Sequence, residues 1–128
     1  MAYHLLIVDD SPMMRKVIRK TVTLSGVELD ECWEAGDGRE ALEILRCHPI
    51  DLILTDINMP RLNGFEMLKE MQKEERWRKI PVVLITSQDN QEHFRETAAW
   101  GVKGYLQKPF HPETLRDLLS RMEEENRV

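Results

Sequence analysis

The sequence has few of the residues that build cross-linked or membrane-spanning proteins. It contains only two cysteines, Cys32 and Cys47, and they form no Cys-x-x-Cys pair. Two cysteines cannot supply a disulfide scaffold, and ligands at the usual spacing of a structural zinc site are missing. No apolar run approaches the roughly 20 residues that a membrane-spanning helix needs. We therefore expect reduced thiols, a cytoplasmic location and no membrane insertion.

The chain also lacks an excess of basic residues and a targeting segment. Lys and Arg number 18 against 23 Asp and Glu, which gives a net charge of −5. Non-specific nucleic-acid binding depends on neutralising phosphates, so we expect no direct nucleic-acid partner. Residues 1–4 are not a basic region followed by a long apolar core, so no signal peptide is expected.

What the chain does contain is a regular alternation of strand and helix patterns. Apolar runs of strand length lie at residues 4–8, 51–55, 81–86 and 102–106, with a weaker one at 32–35. Each run is followed by a helical pattern, and 128 residues suffice for one domain. This alternation predicts an α/β fold, a five-stranded, doubly wound parallel sheet with helices on both faces.

The predicted helices carry start signals and apolar faces. Asp37 and Asn63 stand at N-cap positions, and Ser11-Pro12 begins the first helix. The apolar face of the first helix is predicted to contain Met14, Val17, Ile18, Thr21 and Leu24. That of the last helix is predicted to contain Leu115, Leu118, Leu119 and Met122.

Charged and hydroxyl side chains stand at the ends of four predicted strands. Asp9 and Asp10 follow the first strand, and Asp56 follows the third. Thr86 ends the fourth strand, and Lys108 follows the fifth. Each has an ordinary alternative, such as helix capping, a solvated loop acid or a surface lysine. Ligands of open α/β sheets bind at the carboxyl ends of the strands, so the joint placement predicts a functional site there.

The charges of this predicted site indicate a metal ion. Two like charges about 4 Å apart repel by roughly 4 kcal/mol at an effective dielectric constant of 20. One lysine and one divalent cation would neutralise three carboxylates. Clustered carboxylates suit Mg²⁺, with Mn²⁺ as an alternative, because these ions prefer oxygen ligands. A carboxylate beside such an ion can act as a nucleophile and form an aspartyl phosphate.

With these residues in place, the chain resembles the receiver domains of bacterial two-component response regulators, in particular single-domain, CheY-like chemotaxis regulators. The resemblance rests on Asp9-Asp10, Asp56-x-x-Met59-Pro60 with Gly64, Thr86, Tyr105 and Lys108-Pro109-Phe110. It implies a flavodoxin-like fold with strand order 2-1-3-4-5 and five helices. It also implies that residues 1–128 form one receiver domain, with no output domain in this chain.

The resemblance assigns a role to each residue of the site. Asp56 would accept a phosphoryl group from a sensor histidine kinase or a histidine phosphotransfer domain. Asp10 and Asp56 would bind Mg²⁺ directly, Asp9 mainly through a metal-bound water, and Asn58 through its backbone carbonyl. Lys108 would pair with a phosphoryl oxygen.

The resemblance also implies a conformational switch. The Thr86 hydroxyl would bind the phosphoryl group, and Tyr105 would then rotate inward, unless it is permanently packed. A downstream target would bind the face made by the helix between strands four and five, the fifth strand and the last helix. Ser87, where Ala is common, and Gln88 would modulate the site.

Several functions remain open alongside this interpretation. The chain is not expected to be an enzyme beyond catalysing its own phosphorylation and dephosphorylation. A phosphatase with an Asp nucleophile would need a second acid where Asn58 stands. A phosphorelay intermediate, a phosphate sink, and a fragment of a longer regulator with a DNA-binding or enzymatic output domain are also compatible with the sequence. The basic residues of the first helix form either a solvated face or a docking surface for the donor: Arg15, Lys16, Arg19 and Lys20.

Overall fold

A computed structural model describes residues 2–86 and 97–125. The strands are β1 (Tyr3–Val8), β2 (Leu29–Ala35), β3 (Leu52–Thr55), β4 (Val82–Thr86) and β5 (Val102–Gln107). The helices in the described part of the chain are α1 (Pro12–Leu24), α2 (Gly38–Cys47), α3 (Gly64–Met71), α4 (Glu75–Arg78) and α5 (Pro112–Glu125). Most of the helix predicted between β4 and β5 lies outside these ranges; Thr97 and Ala98 are helical.

The strands form one parallel sheet in the order β2-β1-β3-β4-β5. This confirms the predicted doubly wound α/β fold and its strand order. Four consecutive residues of β1, Leu5 to Val8, are fully buried because helices cover both faces of the sheet. β2 lies at an edge and exposes Asp30 and Glu31, which explains its weak apolar signal in the sequence.

The core consists of two layers, one on each face of the sheet. Leu6 and Val8 point into the layer that contains the buried residues of α2 and α3. Leu5 and Ile7 point into the opposite layer with the buried residues of α1 and α5. Alternate residues of one strand thus serve different helices, as the two-residue period of a strand requires.

The predicted helix starts are confirmed by hydrogen bonds. The Ser11 hydroxyl accepts a bond from the Met14 N–H at 3.2 Å, and Asp37 caps α2 through the Glu40 N–H at 2.9 Å. Asn63 forms a complete capping box with Glu66 at the start of α3. The carboxyl ends of the strands are therefore next to the capped N-termini of α1, α2 and α3.

The structure corrects the prediction for α1 and adds a helix that was not predicted. Ile18 is buried as expected, but Val17 and Leu24 are 50% and 65% exposed, and Val22 fills the core instead. Helix α4 is a single turn that places Trp77 against the core layer of α2 and α3. No helix within residues 2–86 and 97–125 has the length and hydropathy to cross a membrane.

Candidate functional site

The strand register brings Asp9 and Asp56 next to each other. Val8 and Thr55 are partners in the β1–β3 pair, and each carboxylate belongs to the residue that follows. The Asp56 N–H donates to the Val8 carbonyl at 2.9 Å, which extends the ladder one step past the strands. Two acids that are 47 positions apart in the sequence therefore leave the sheet at the same point.

Lys108 is held over these two carboxylates. The backbone N–H of Lys108 donates to the Thr86 carbonyl at 2.7 Å, and this bond fixes the position of the chain just past the end of β5. Its Nζ lies 2.8 Å from Asp9 Oδ2 and 3.2 Å from Asp56 Oδ2. The side chains of Asp9, Asp56 and Lys108 are only 1%, 15% and 16% exposed. This is a largely desolvated set of charges, and the direct contact of opposite charges offsets part of the cost of burying them.

The pKa of Lys108 is set by two opposing effects. Burial by itself lowers the pKa, because desolvation disfavours the charged ammonium. The hydrogen bond to Asp9 and the charges of Asp56 and Asp9 raise it by more, so the pKa ends above its ordinary value. Lys108 is therefore a permanent cation at neutral pH.

Backbone N–H groups hold the remaining carboxylate oxygens. Asp9 Oδ1 accepts a bond from the Ser11 N–H at 2.9 Å, and Asp56 Oδ1 accepts one from the Ile57 N–H at 2.7 Å. In each carboxylate, one oxygen thus accepts a hydrogen bond from a backbone N–H, and the other contacts Lys108 Nζ. Arg15 supports the loop by donating to the Asp9 carbonyl at 2.6 Å, a role that its place in the basic face of α1 did not reveal.

Asp10 completes an acidic cluster with Asp9 and Asp56. One carboxylate oxygen from each residue lies within 4.8 Å of the other two. Opposite ligands of Mg²⁺ stand about 4 Å apart, so small side-chain shifts bring the three oxygens to one ion. Asp10 is exposed and Asp9 is buried, so a cation can enter from the solvent side. The donors are all oxygens, which fits a hard divalent cation.

Gly64 explains how α3 can begin directly against Asp56. A Cβ at this position would lie 2.5 Å from the Asp56 carbonyl and 3.0 Å from the Ile57 Cα. Both are backbone atoms that cannot move aside easily. The Gly64 N–H also donates to the Ile57 carbonyl at 2.8 Å. Only glycine allows this close approach, which was not evident from spacing alone.

The other predicted site residues lie at the end of β4, in β5 and in the loop after Asp56. Thr86 is 2% exposed at the end of β4, and Tyr105 is half-buried against the core layer of α2 and α3. Asn58 is exposed in the loop after Asp56. Ser87 and Gln88 lie outside the described residues.

This fold and this cluster of three acids and a lysine define a receiver domain. A model of the response regulator receiver domain matches residues 5–120. The chain therefore belongs to the response regulator receiver domain family, in which phosphorylation on an aspartate is general.

Individual relatives are CheY proteins. The chain is 36% identical over 118 residues to the chemotaxis protein CheY-3 of Vibrio cholerae, covering 92% of this chain and 89% of that protein. It is 35% identical over 116 residues to CheY1 of Helicobacter pylori, covering 90% and 92%. The solved structure of the chemotaxis response regulator CheY4 of Vibrio cholerae superimposes with a TM-score of 0.79 at 36% identity, covering 94% and 98%. The family and the CheY-like character expected from the motifs are confirmed.

Proposed function

We propose that this protein is a stand-alone, CheY-like response regulator that is phosphorylated on Asp56 and signals by binding a target protein. The observation that carries the assignment of Asp56 is that its carboxylate contacts Lys108 Nζ, at 3.2 Å, and also belongs to the acidic cluster with Asp9 and Asp10. Asp56 is also 15% exposed, so an incoming phosphoryl group can reach it, whereas Asp9 is 1% exposed.

The reaction transfers a phosphoryl group between two protein side chains. An Asp56 carboxylate oxygen forms a bond to phosphorus, and the bond from phosphorus to the donor histidine nitrogen breaks. The histidine ring takes the electron pair and a proton. Lys108 is placed to pair with a phosphoryl oxygen once its contact with Asp56 Oδ2 is replaced. The protein contributes position and charge, the usual means of promoting phosphoryl transfer.

Mg²⁺ is the proposed cofactor. Asp9, Asp10, Asp56 and the Asn58 carbonyl would hold it, and when bound it neutralises charge on the phosphoryl oxygens. The three acids and Lys108 sum to a charge of −2, which one divalent cation balances. Mn²⁺ would satisfy the same oxygen donors.

Helix α1 is the proposed docking surface for a histidine kinase or phosphotransfer domain. Met13, Val17 and Leu24 are 75%, 50% and 65% exposed, and they are the exposed large apolar side chains of the described part of the chain. Arg15 and Arg19 are paired with Glu34, whereas Lys16 and Lys20 form no ion pair with any residue that the structure describes. An apolar surface with a rim of lysines suits a protein donor rather than a solvated face.

The Thr86–Tyr105 pair is the proposed switch. Tyr105 is the register partner of Leu84, and Thr86 follows Leu84 by two residues on the same face of the sheet. A phosphoryl group on Asp56 would attract the Thr86 hydroxyl, and Tyr105 is amphipathic enough to pack or to be exposed. Inward rotation of Tyr105 would reshape the face of β5, α5 and the helix before β5, where the target would bind.

A chemotaxis output is favoured by the relatives, which are named as chemotaxis proteins and match this chain over most of their own length. The chain is proposed not to be a phosphatase, because Asn58 cannot donate the proton that a leaving group needs. Sustained turnover of p-nitrophenyl phosphate would contradict this.

The decisive experiment is labelling with acetyl phosphate in Mg²⁺ and in EDTA, followed by borohydride reduction and mass spectrometry. We expect one Mg²⁺-dependent modification, at Asp56. Beryllofluoride should give a complex with the same metal dependence. Modification at Asp9, Asp10 or Ser87 instead would overturn the assignment, and equal labelling in EDTA would overturn the role of the metal.

A further inference from the structure

A groove of about 420 Å³ lies at the opposite edge of the sheet from Asp56. It is bounded by the end of α2, by the residues that lead into β3, and by α4 with the residues that lead into β4. Leu45, Ile50 and Ile80 give it an apolar lining. This volume is in the range of about 300–1,000 Å³ that is typical of small-molecule sites.

The charge of the groove is opposite to that of the protein. Arg46 and Arg76 line it, and their guanidinium carbons lie 5.9 and 5.8 Å from the centre of the Trp77 ring. None of the described residues that line the groove is Asp or Glu, although the chain has a net charge of −5. Arg76 has only an exposed pairing with Glu74 at 3.4 Å, and in the described part of the chain no carboxylate pairs with Arg46.

Trp77 adds a hydrogen-bond donor without a partner. The residue is 7% exposed, and its Nε1–H is buried with no acceptor among the described residues. Buried donors of this kind are rare, because an unmade hydrogen bond costs about 1–3 kcal/mol. A single turn of helix, α4, positions this ring at the groove.

A stack of rings fixes one wall of the groove. His48 lines it and stacks on Trp33 with ring centres 4.7 Å apart, and His4 also stacks on Trp33, with ring centres 6.0 Å apart. The wall is therefore built before any ligand arrives, which lowers the cost of ordering on binding.

We propose that this groove is a binding site for a small organic anion, a compound with a flat apolar body and one carboxylate or phosphate group. The body would lie against Trp77 and Ile50, and the anionic group would bind between Arg46 and Arg76. The whole length of β3 separates this site from Asp56, so binding does not compete with phosphorylation for the same residues. The protein would thus carry a second, effector-type site.

The test uses 1-naphthoate as the probe, with 1-naphthyl phosphate to compare the two head groups. Binding is followed by the ¹H–¹⁵N resonance of the Trp77 indole N–H, assigned with Trp33→Phe and Trp100→Phe. We expect a saturable shift of that resonance. The double variant Arg46→Gln/Arg76→Gln should bind the probe at least about tenfold more weakly. This lower limit corresponds to the loss of a single charge-assisted hydrogen bond. The matched control Arg78→Gln, on the same turn but outside the groove, should bind as wild type.

Three results would overturn the proposal. The first is no saturable shift at roughly 5 mM probe, since such weak binding is not that of a specific site. The second is equal binding of the neutral 1-naphthalenemethanol, or an affinity for inorganic phosphate alone that equals the affinity for 1-naphthyl phosphate. The third is an equal loss of affinity in Arg78→Gln and in the double variant.

Discussion

The acidic cluster at the carboxyl ends of the strands and the groove at their amino ends differ both in the sign of their charge and in its exposure. At the carboxyl edge, Asp9, Asp56 and Lys108 are 1–16% exposed and every charge has a direct partner. At the amino edge, Arg46 and Arg76 are exposed and stand beside Trp77. Buried charges in direct contact hold reactive groups in one geometry. Exposed charges over an apolar surface leave binding energy available for a ligand.

The chain direction explains why the signs sort in this way. In a parallel α/β sheet, helices begin just past the carboxyl ends of the strands and end before the amino ends. The partial positive charge at a helix N-terminus favours acids, and the negative end favours cations. Helices α1 and α3 begin next to Asp9 and Asp56, and Arg46 lies in the last turn of α2. The topology itself therefore favours an acidic edge and a basic one.

The largest expected effect is on phosphorylation, and it is tested by replacing each of the two acids that flank β3. Asp56→Asn should reduce Mg²⁺-dependent phosphorylation by acetyl phosphate at least about a hundredfold, because the nucleophile is lost. Asp51→Asn changes an acid at the amino edge, where Oδ2 accepts a bond from the His4 N–H, and should leave labelling unchanged. Phosphorylation of Asp56→Asn at the wild-type rate would contradict the assignment.

The next largest effect concerns the buried charges. Lys108→Met should lower the free energy of unfolding of the metal-free protein by about 3 kcal/mol, because it leaves the buried Asp9 carboxylate without its cation. Lys103→Met removes an exposed lysine of β5, the strand that ends just before Lys108, and should cost less than about 0.5 kcal/mol. Urea unfolding in EDTA measures both, and equal losses would show that burial does not distinguish them.

Metal binding should stabilise the carboxyl edge in particular. Mg²⁺ at a hundredfold excess over Kd should raise the free energy of unfolding by roughly 2.7 kcal/mol. Asp10→Asn should lose most of this gain but should be about 1 kcal/mol more stable than wild type in EDTA, since one repelling charge is gone. Asp117→Asn, an exposed acid of α5, is the control. Identical melting midpoints in Mg²⁺ and EDTA would contradict the metal site.

The smallest effect concerns a hydrogen bond at the amino edge. The Tyr3 hydroxyl donates to Glu123 Oε1 at 2.7 Å, and Tyr3→Phe should cost about 1 kcal/mol at pH 7. Burial, followed by the bond and charge of Glu123, raises the pKa of Tyr3 above its usual value of 10.0.

Above pH 10, the unfolded chain therefore loses a proton that the folded protein keeps, and wild-type stability falls as the pH rises. Tyr3→Phe should lack this part of the decline. Urea unfolding between about pH 9 and 11 tests it, and parallel curves for the two proteins would contradict the assigned pKa direction.

Sequence patterns predicted the strands and the longer helices, but they did not predict which face of α1 is buried or the single turn of α4. The strands that precede Asp9 and Asp56 are continuous apolar runs, so the sequence indicated where each of them ends. In α1, Val17 and Leu24 fitted the helical period but face solvent, because the period does not state which stripe meets the sheet. Helix α4 is too short to have a period, and Trp77 had no assigned role.

The sequence by itself determined the α/β class, the helix caps and the residues that follow each strand, because these depend on local patterns and on chain direction. Tertiary structure alone decided which atoms meet. The pairing of Val8 with Thr55 brings Asp9 to Asp56, and residues from α2, α4 and the segments before β3 and β4 form the groove at Trp77. Such contacts join positions far apart in the chain, and their geometry depends on packing that no local pattern encodes.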